Sequence, residues 1–138
     1  MKKNKIIFWT TTSIIFVMEA LMPLATLLFA HEHFNAGTKP LGYPDYFAYA
    51  LIVCKILGAT AIMFPKLPAK LREWAYAGLT FNLLFAVISH LAVDQIISYI
   101  LMPVMVGVVL GVSMSTHKKS YSNLKIYNYV ISNIYQKH

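Results

Sequence analysis

Long apolar runs, broken by short polar clusters, set the plan of this chain before any single residue is considered. A helix needs about 20 apolar residues in a row to cross the hydrocarbon core of a bilayer. Four segments reach that length, at about 6–30, 46–64, 74–93 and 96–115. Backbone amides cannot go unpaired at that depth, so each segment must be a helix. The pattern predicts an all-α integral membrane protein, a four-transmembrane-helix antiparallel bundle over residues 1–116 with a basic tail over 117–138. The turn at Asp94 and Gln95 is very tight, which makes the third and fourth helices antiparallel neighbours. The longest connection, HEHFNAGTKPLGYPD, holds Gly-Thr-Lys-Pro and Gly-Tyr-Pro turns that break any helix. The loop PKLPAK is short and bounded by prolines.

The basic start MKKNK suggests a signal peptide, but the apolar run behind it is far longer than such a peptide carries. Leu28 also stands where a cut after Ala30 would want a small residue. The first segment is therefore expected to stay as a helix. In the tail, Leu124, Tyr127, Ile131 and Ile134 recur at helical spacing. They fit a basic amphipathic helix on the membrane surface, while the Asn, Ser and β-branched content favours a frayed end.

Composition agrees with the pattern. The chain of 138 residues is 58% hydrophobic and only 12% charged, where soluble domains carry roughly 25% charged residues. The net charge of +7 would suit a nucleic-acid binder. Its placement says otherwise. Lys2, Lys3, Lys5, Lys66, Lys70, Arg72, Lys118, Lys119, Lys125 and Lys137 all flank the spans on one side. The other side has Lys39 beside Glu32, Asp45 and Asp94. Excess Lys and Arg mark the cytoplasmic side, so both termini are expected inside, at a bacterial cytoplasmic (inner) membrane. The partner of this charge is then anionic lipid, and no basic face is left for nucleic acid. Trp9 and Trp74 fall at the inner interface, and Tyr43, Tyr46, Tyr49 and Tyr99 near the outer one, as an aromatic belt requires. The single cysteine, Cys54, cannot form an internal disulfide and is expected to be a small buried hydrophobe.

Against this background the polar residues inside the spans stand out. Glu19, Lys55 and Asn82 lie near the middle of three different helices. A lone charge at the bilayer centre costs roughly 2.5–3.5 kcal/mol on insertion scales. An ion pair between Glu19 and Lys55, with Asn82 as a third member, would relieve it. Small residues support convergence by letting helices approach closely. They fall at Gly58 and Ala59, at Gly78 and Ala86 flanking Asn82, and at Gly107, Gly111 and Ser115 after Pro103. Thr12, Glu19 and Thr26 form a stripe on the first helix. The plainer reading is that all of these only pack the bundle.

A second cluster is expected at the outer face, from Ser89, His90, Asp94, His31 and His33, with Glu32 beside them. Histidine next to carboxylate can relay protons or hold a divalent ion. No zinc spacing is present, so no metal is assigned, and holding the loop to the bundle is the plainer role. No GxSxG, HExxH or glycine-rich phosphate loop occurs. The chain reads more as a non-enzyme on its own than as a complete catalyst.

The stretch LGYPDYFAYALIVCKILGATAIMFPKLPAKLREWAYAGLTFNLLFAVISHLAVD resembles the DoxX-like family of small bacterial membrane proteins. The LGYP turn, KILGA, the proline after the second helix, REWAYAG and the final SH…D carry the likeness together. The resemblance implies a four-helix inner-membrane protein, largely without an assigned activity. The wider group takes its name from a membrane subunit of a thiosulfate:quinone oxidoreductase, which implies a quinone-linked or redox-accessory role with quinone as the cofactor. The family's recurrent positions fall here on Lys55, Glu73, Trp74, Ser89, His90 and Asp94.

Three functions stay open on the sequence. The first is a quinone-binding accessory subunit to a membrane redox partner, with Ser89, His90 and Asp94 touching a carbonyl. The second is a structural or assembly protein that docks partners, lipid or a second copy of itself. The third is a small proton-coupled transporter using Glu19, against which Lys55 would compete with a cationic substrate.

Overall fold

The computed structural model describes residues 2–64 and 66–135, with side chains described as far as Lys119 and again at Ile126. Five α-helices form among them, with no strand: α1 (Lys2–Phe16), α2 (Met22–Phe29), α3 (Asp45–Met63), α4 (Ala69–Ala92) and α5 (Ile97–Tyr135). A π-helical turn, Val17–Leu21, joins α1 to α2, so the two make one span of 28 residues, Lys2–Phe29. The other candidate spans are Asp45–Met63, Ala69–Ala92 and Ile97–Lys119. Four helices are thus long and apolar enough to cross a membrane.

Proline explains the break in the first span. Pro23 has no N–H, and its ring crowds the carbonyl four residues back, which belongs to Glu19. The chain relieves the crowding by widening one turn. The Met22 N–H bonds to the Val17 carbonyl, five residues earlier, which is the π pattern. At the tight turn between α4 and α5, Gln95 takes a left-handed φ of 54°. Its N–H returns to the His90 carbonyl at 2.7 Å and closes the end of α4.

Two boundaries differ from the apolar runs. Helix α4 starts at Ala69, so Lys70, Arg72 and Glu73 lie within it and not ahead of it. Helix α5 runs through Tyr135 and does not stop near Ser115. Hydropathy marks where lipid is expected, not where backbone hydrogen bonding ends. The side chains of Leu124, Tyr127, Ile131 and Ile134, and all of Pro65, lie outside the described residues.

The helices form a ring. Helix α1 packs on α5, α5 on α4, α4 on α3, and α3 on α1 and the π turn. Four spans return the chain to the side on which it began, so both termini share one end of the bundle and the 30–44 loop caps the other. Ile15, Ile62, Tyr76, Leu79, Leu83, Val106 and Leu110 make the core, with Met18 packed against it. Large apolar side chains such as Phe81, Leu84, Ile88 and Leu91 are exposed, as lipid-facing positions are. Between helices already in lipid no hydrophobic drive remains, so close packing and polar contacts must hold them.

Two polar clusters at the terminal end do this. The Thr12 and Ser113 hydroxyls meet at 2.8 Å, and the Tyr76 hydroxyl meets Ser113 at 2.9 Å, all buried. Arg72, only 5% exposed, donates to the Leu67 carbonyl at 2.9 Å and to His117 Nε2. It is therefore a buried tie between helices as well as a basic charge.

The small residues are used differently from the expected seams. A methyl group at Gly58 would meet Leu79 at 3.1 Å, so this glycine sets the α3–α4 approach. A methyl group added at Gly78 or Gly111 would find open space, and one at Gly107 would meet Leu83 at an ordinary 3.9 Å. Ser115 is exposed, and so is Cys54. The inner face of α3 is set by Ala48, Ile52, Ala59 and Ile62, and Cys54 falls off that face, which corrects the expectation of burial.

Candidate functional site

A chamber of about 510 Å³ opens between the loop-end halves of the helices. Its walls come from α2 and the π turn, α3, α4 and α5, with Ala36, Gly37, Thr38, Pro40, Leu41 and Tyr43 of the loop over it. Leu83 and Val106, members of the core, form part of its lining on the inner side. The lining is mostly apolar, and its polar groups sit at two levels.

The deeper level holds Glu19, Lys55 and Asn82. Lys55 Nζ lies 3.1 Å from Glu19 Oε2, with the side chains 23% and 7% exposed. The π turn is what brings Glu19 here. An added residue in one turn resets the rotation of everything beyond it, and such turns recur at functional positions. Asn82 Nδ2 is fully buried and has no hydrogen-bond partner.

The level near the loop holds Ser89, His90 and Asp94. Ser89 shares a hydrogen bond of 2.9 Å with the Tyr43 hydroxyl. His90 Nδ1 and Asp94 Oδ2 are 2.9 Å apart, and Asp94 Oδ1 accepts the Ile96 N–H at 3.3 Å. Partial burial pushes the Asp94 carboxyl upward. The bonds from His90 and the Ile96 amide outweigh that and hold it below the ordinary carboxylate range. An ionised carboxylate only accepts, so Nδ1 carries the hydrogen, and in the neutral ring Nε2 is an acceptor. The ring packs 5.5 Å from Tyr99.

The outer-face histidines separate. The turn His31–His33 is 3₁₀, with three residues per turn, so residues two apart point in different directions. His33 borders the chamber and sits 3.6 Å from Glu32, both well exposed. His31 is not in the lining. Its Nε2 meets the Tyr49 hydroxyl at 2.9 Å and its ring lies 5.0 Å from Phe34. The loop is further held by Asn35, which donates to Asp45 Oδ1 at 2.5 Å. Among the described residues, no three His, Cys, Asp or Glu side chains gather as a metal would need.

Sequence reasoning did not find Tyr43 as the partner of Ser89, nor the two prolines, Pro23 and Pro103, in the chamber wall. It also passed over Thr12–Ser113–Tyr76 and Arg72–His117. The available signal for these was a polar residue within or at the edge of each span.

The chamber thus combines apolar walls with hydrogen-bonding groups at two levels, the general make-up of a small-molecule pocket. The model of the DoxX-like family matches residues 7–113, a stretch that takes in both polar levels. No curated protein and no solved structure matches the chain.

Proposed function

The chain belongs to the DoxX-like family of membrane proteins, and from that premise we propose that it binds a quinone, as an accessory subunit to a membrane redox partner. One observation carries the reading: the buried, unpartnered Asn82 amide in the chamber beside Lys55 and Glu19. Leaving a buried donor unmet costs about 1–3 kcal/mol. A carbonyl oxygen placed there recovers that cost. At the other level, Ser89 and Tyr43 are within the lining, and the hydroxyl hydrogen not used between them can be donated to a second oxygen. The Glu19 carboxylate already faces Lys55 at 3.1 Å, which favours this reading over a carboxylate left open for a cationic substrate.

Native mass spectrometry of protein purified in mild detergent, with lipid extraction of the same sample, tests this. Wild type is expected to retain quinone. Asn82→Leu keeps the size and removes the donor, and occupancy should fall about tenfold, the equivalent of about 1.4 kcal/mol. An empty wild-type bundle that carries a partner protein or a second copy would overturn the reading. It would favour the assembly role, for which the exposed Gly78 and Gly111 would offer close-approach surfaces.

The reading also places the terminal end in the cytoplasm, on the strength of the Lys and Arg clusters there. A fluorescent protein fused to the C-terminus should glow in cells, and alkaline phosphatase fused at the same point should be inactive. Active phosphatase would reverse the assignment.

A further inference from the structure

We propose that the chamber is reached sideways from the bilayer, through a gap between α2 and α5, and that its ligand carries a long hydrocarbon or isoprenoid tail that stays in the lipid. This deepens the reading of the chamber as a binding site and rests on it.

The seam between the first span and α5 is closed at the terminal end. Thr12 bonds to Ser113 there, and Ile15 and Met18 pack with Val106 and Leu110. One turn further toward the loop the closure ends. Met22 stands one turn beyond Met18, and Met102 one turn beyond Val106. Both line the chamber, yet they are 54% and 53% exposed. Tyr99, the next step along α5, is also in the lining and 52% exposed. Half-exposed lining residues on both α2 and α5 are read as an opening in the wall between these two helices.

The prolines give the cause. Pro23 and Pro103 both line the chamber, one on each side of this gap. Each lacks the N–H that would bond one turn back, which loosens its helix at that point. Helix α1 runs against α5, whereas α2 holds to α3 instead. The two helices part where the prolines stand.

The position of the gap selects the ligand. It lies just beyond Glu19, within the Lys2–Phe29 span, so what faces it is hydrocarbon and not water. A volume of about 510 Å³ holds a ring with its substituents but not a long chain as well. Methionine side chains are flexible and apolar, suited to a border that a tail must cross.

Photolabelling tests this without any quinone. The protein is placed in vesicles of phosphatidylethanolamine and phosphatidylglycerol containing a long-chain alcohol with a diazirine next to its hydroxyl. Crosslinks are then mapped by peptide mass spectrometry. Ile52 and Leu83 line the chamber but are only 6% and 7% exposed, so label on them must come through the cavity. Wild type should be labelled at both. Filling the gap with Met22→Trp and Met102→Trp should lower that labelling at least tenfold and leave the exposed Val53 and Ile88 unchanged, which also reports that the bundle is intact. If the double variant does not fold, Met102→Trp alone serves, with a smaller loss in the same direction. Unlabelled Ile52 and Leu83 in wild type, or labelling that the tryptophans do not reduce, overturns side access. Retained quinone with an unlabelled chamber would sink side access alone. A labelled chamber in protein that never retains quinone would sink the quinone reading alone.

Discussion

Lys55→Leu is expected to abolish the folded, monodisperse bundle in mild detergent, and exchanging the two charges, Glu19→Lys with Lys55→Glu, to restore much of it. The Glu19 side chain is 7% exposed and Lys55 lies 3.1 Å away. Removing one member of a buried pair leaves the other charge without compensation, at about 3–5 kcal/mol. That is a large part of the roughly 5–15 kcal/mol that holds a typical fold. Glu19→Gln should be milder, because an amide needs no counter-charge and Lys55 is less deeply buried. Size-exclusion profiles and melting curves of the four proteins decide the matter. Tolerance of every single change, with no gain in the exchange, would mean that the two charges are independent.

Arg72→Leu should cost about 2–3 kcal/mol, from hydrogen bonds of a buried charged donor to partly buried acceptors. The guanidinium reaches the Leu67 carbonyl and His117 Nε2 from one planar group, so it ties the 64–68 connection to α5. Arg72→Lys should recover only part of the loss, since a single ammonium cannot reproduce the fork. Lys70→Leu, two residues away and exposed, should change stability by less than about 0.5 kcal/mol. Denaturant titration in detergent measures all three. Equal behaviour of Arg72→Leu and Lys70→Leu would show that Arg72 serves only as a basic charge.

These two cases mark what could be read from the sequence and what could not. Four spans are legible because an apolar run of this length has few other uses. Glu19, Lys55 and Asn82 are legible as residues because each is polar in an apolar setting. Which atoms meet depends on the rotation of three helices, and the π turn resets the rotation of the first. Nothing in hydropathy registers one extra residue in a turn, although Pro23 is its visible cause. Arg72 looked like one more member of a basic flank, because charge placement gives the side of the membrane and not the direction of a side chain. His31 and His33 looked like a pair because they are close in sequence, and a 3₁₀ turn separates them. A chamber is space between elements, so no residue string encodes it directly. Its traces are the two prolines that part the walls.

The apolar layer beneath the chamber has an electrical consequence. Polar groups reach inward from the loop end as far as Glu19, Lys55 and Asn82, and from the terminal end as far as Thr12, Tyr76 and Ser113. Ile15, Ile62, Leu79 and Leu110 stand between the two sets. An ion crossing that layer would shed its hydration with nothing to replace it, at a cost of several kcal/mol or more. Each elementary charge moved through 100 mV gains only about 2.3 kcal/mol. The layer therefore separates the polar-lined hollow from the polar contacts at the terminal end by a step that opposes the passage of ions.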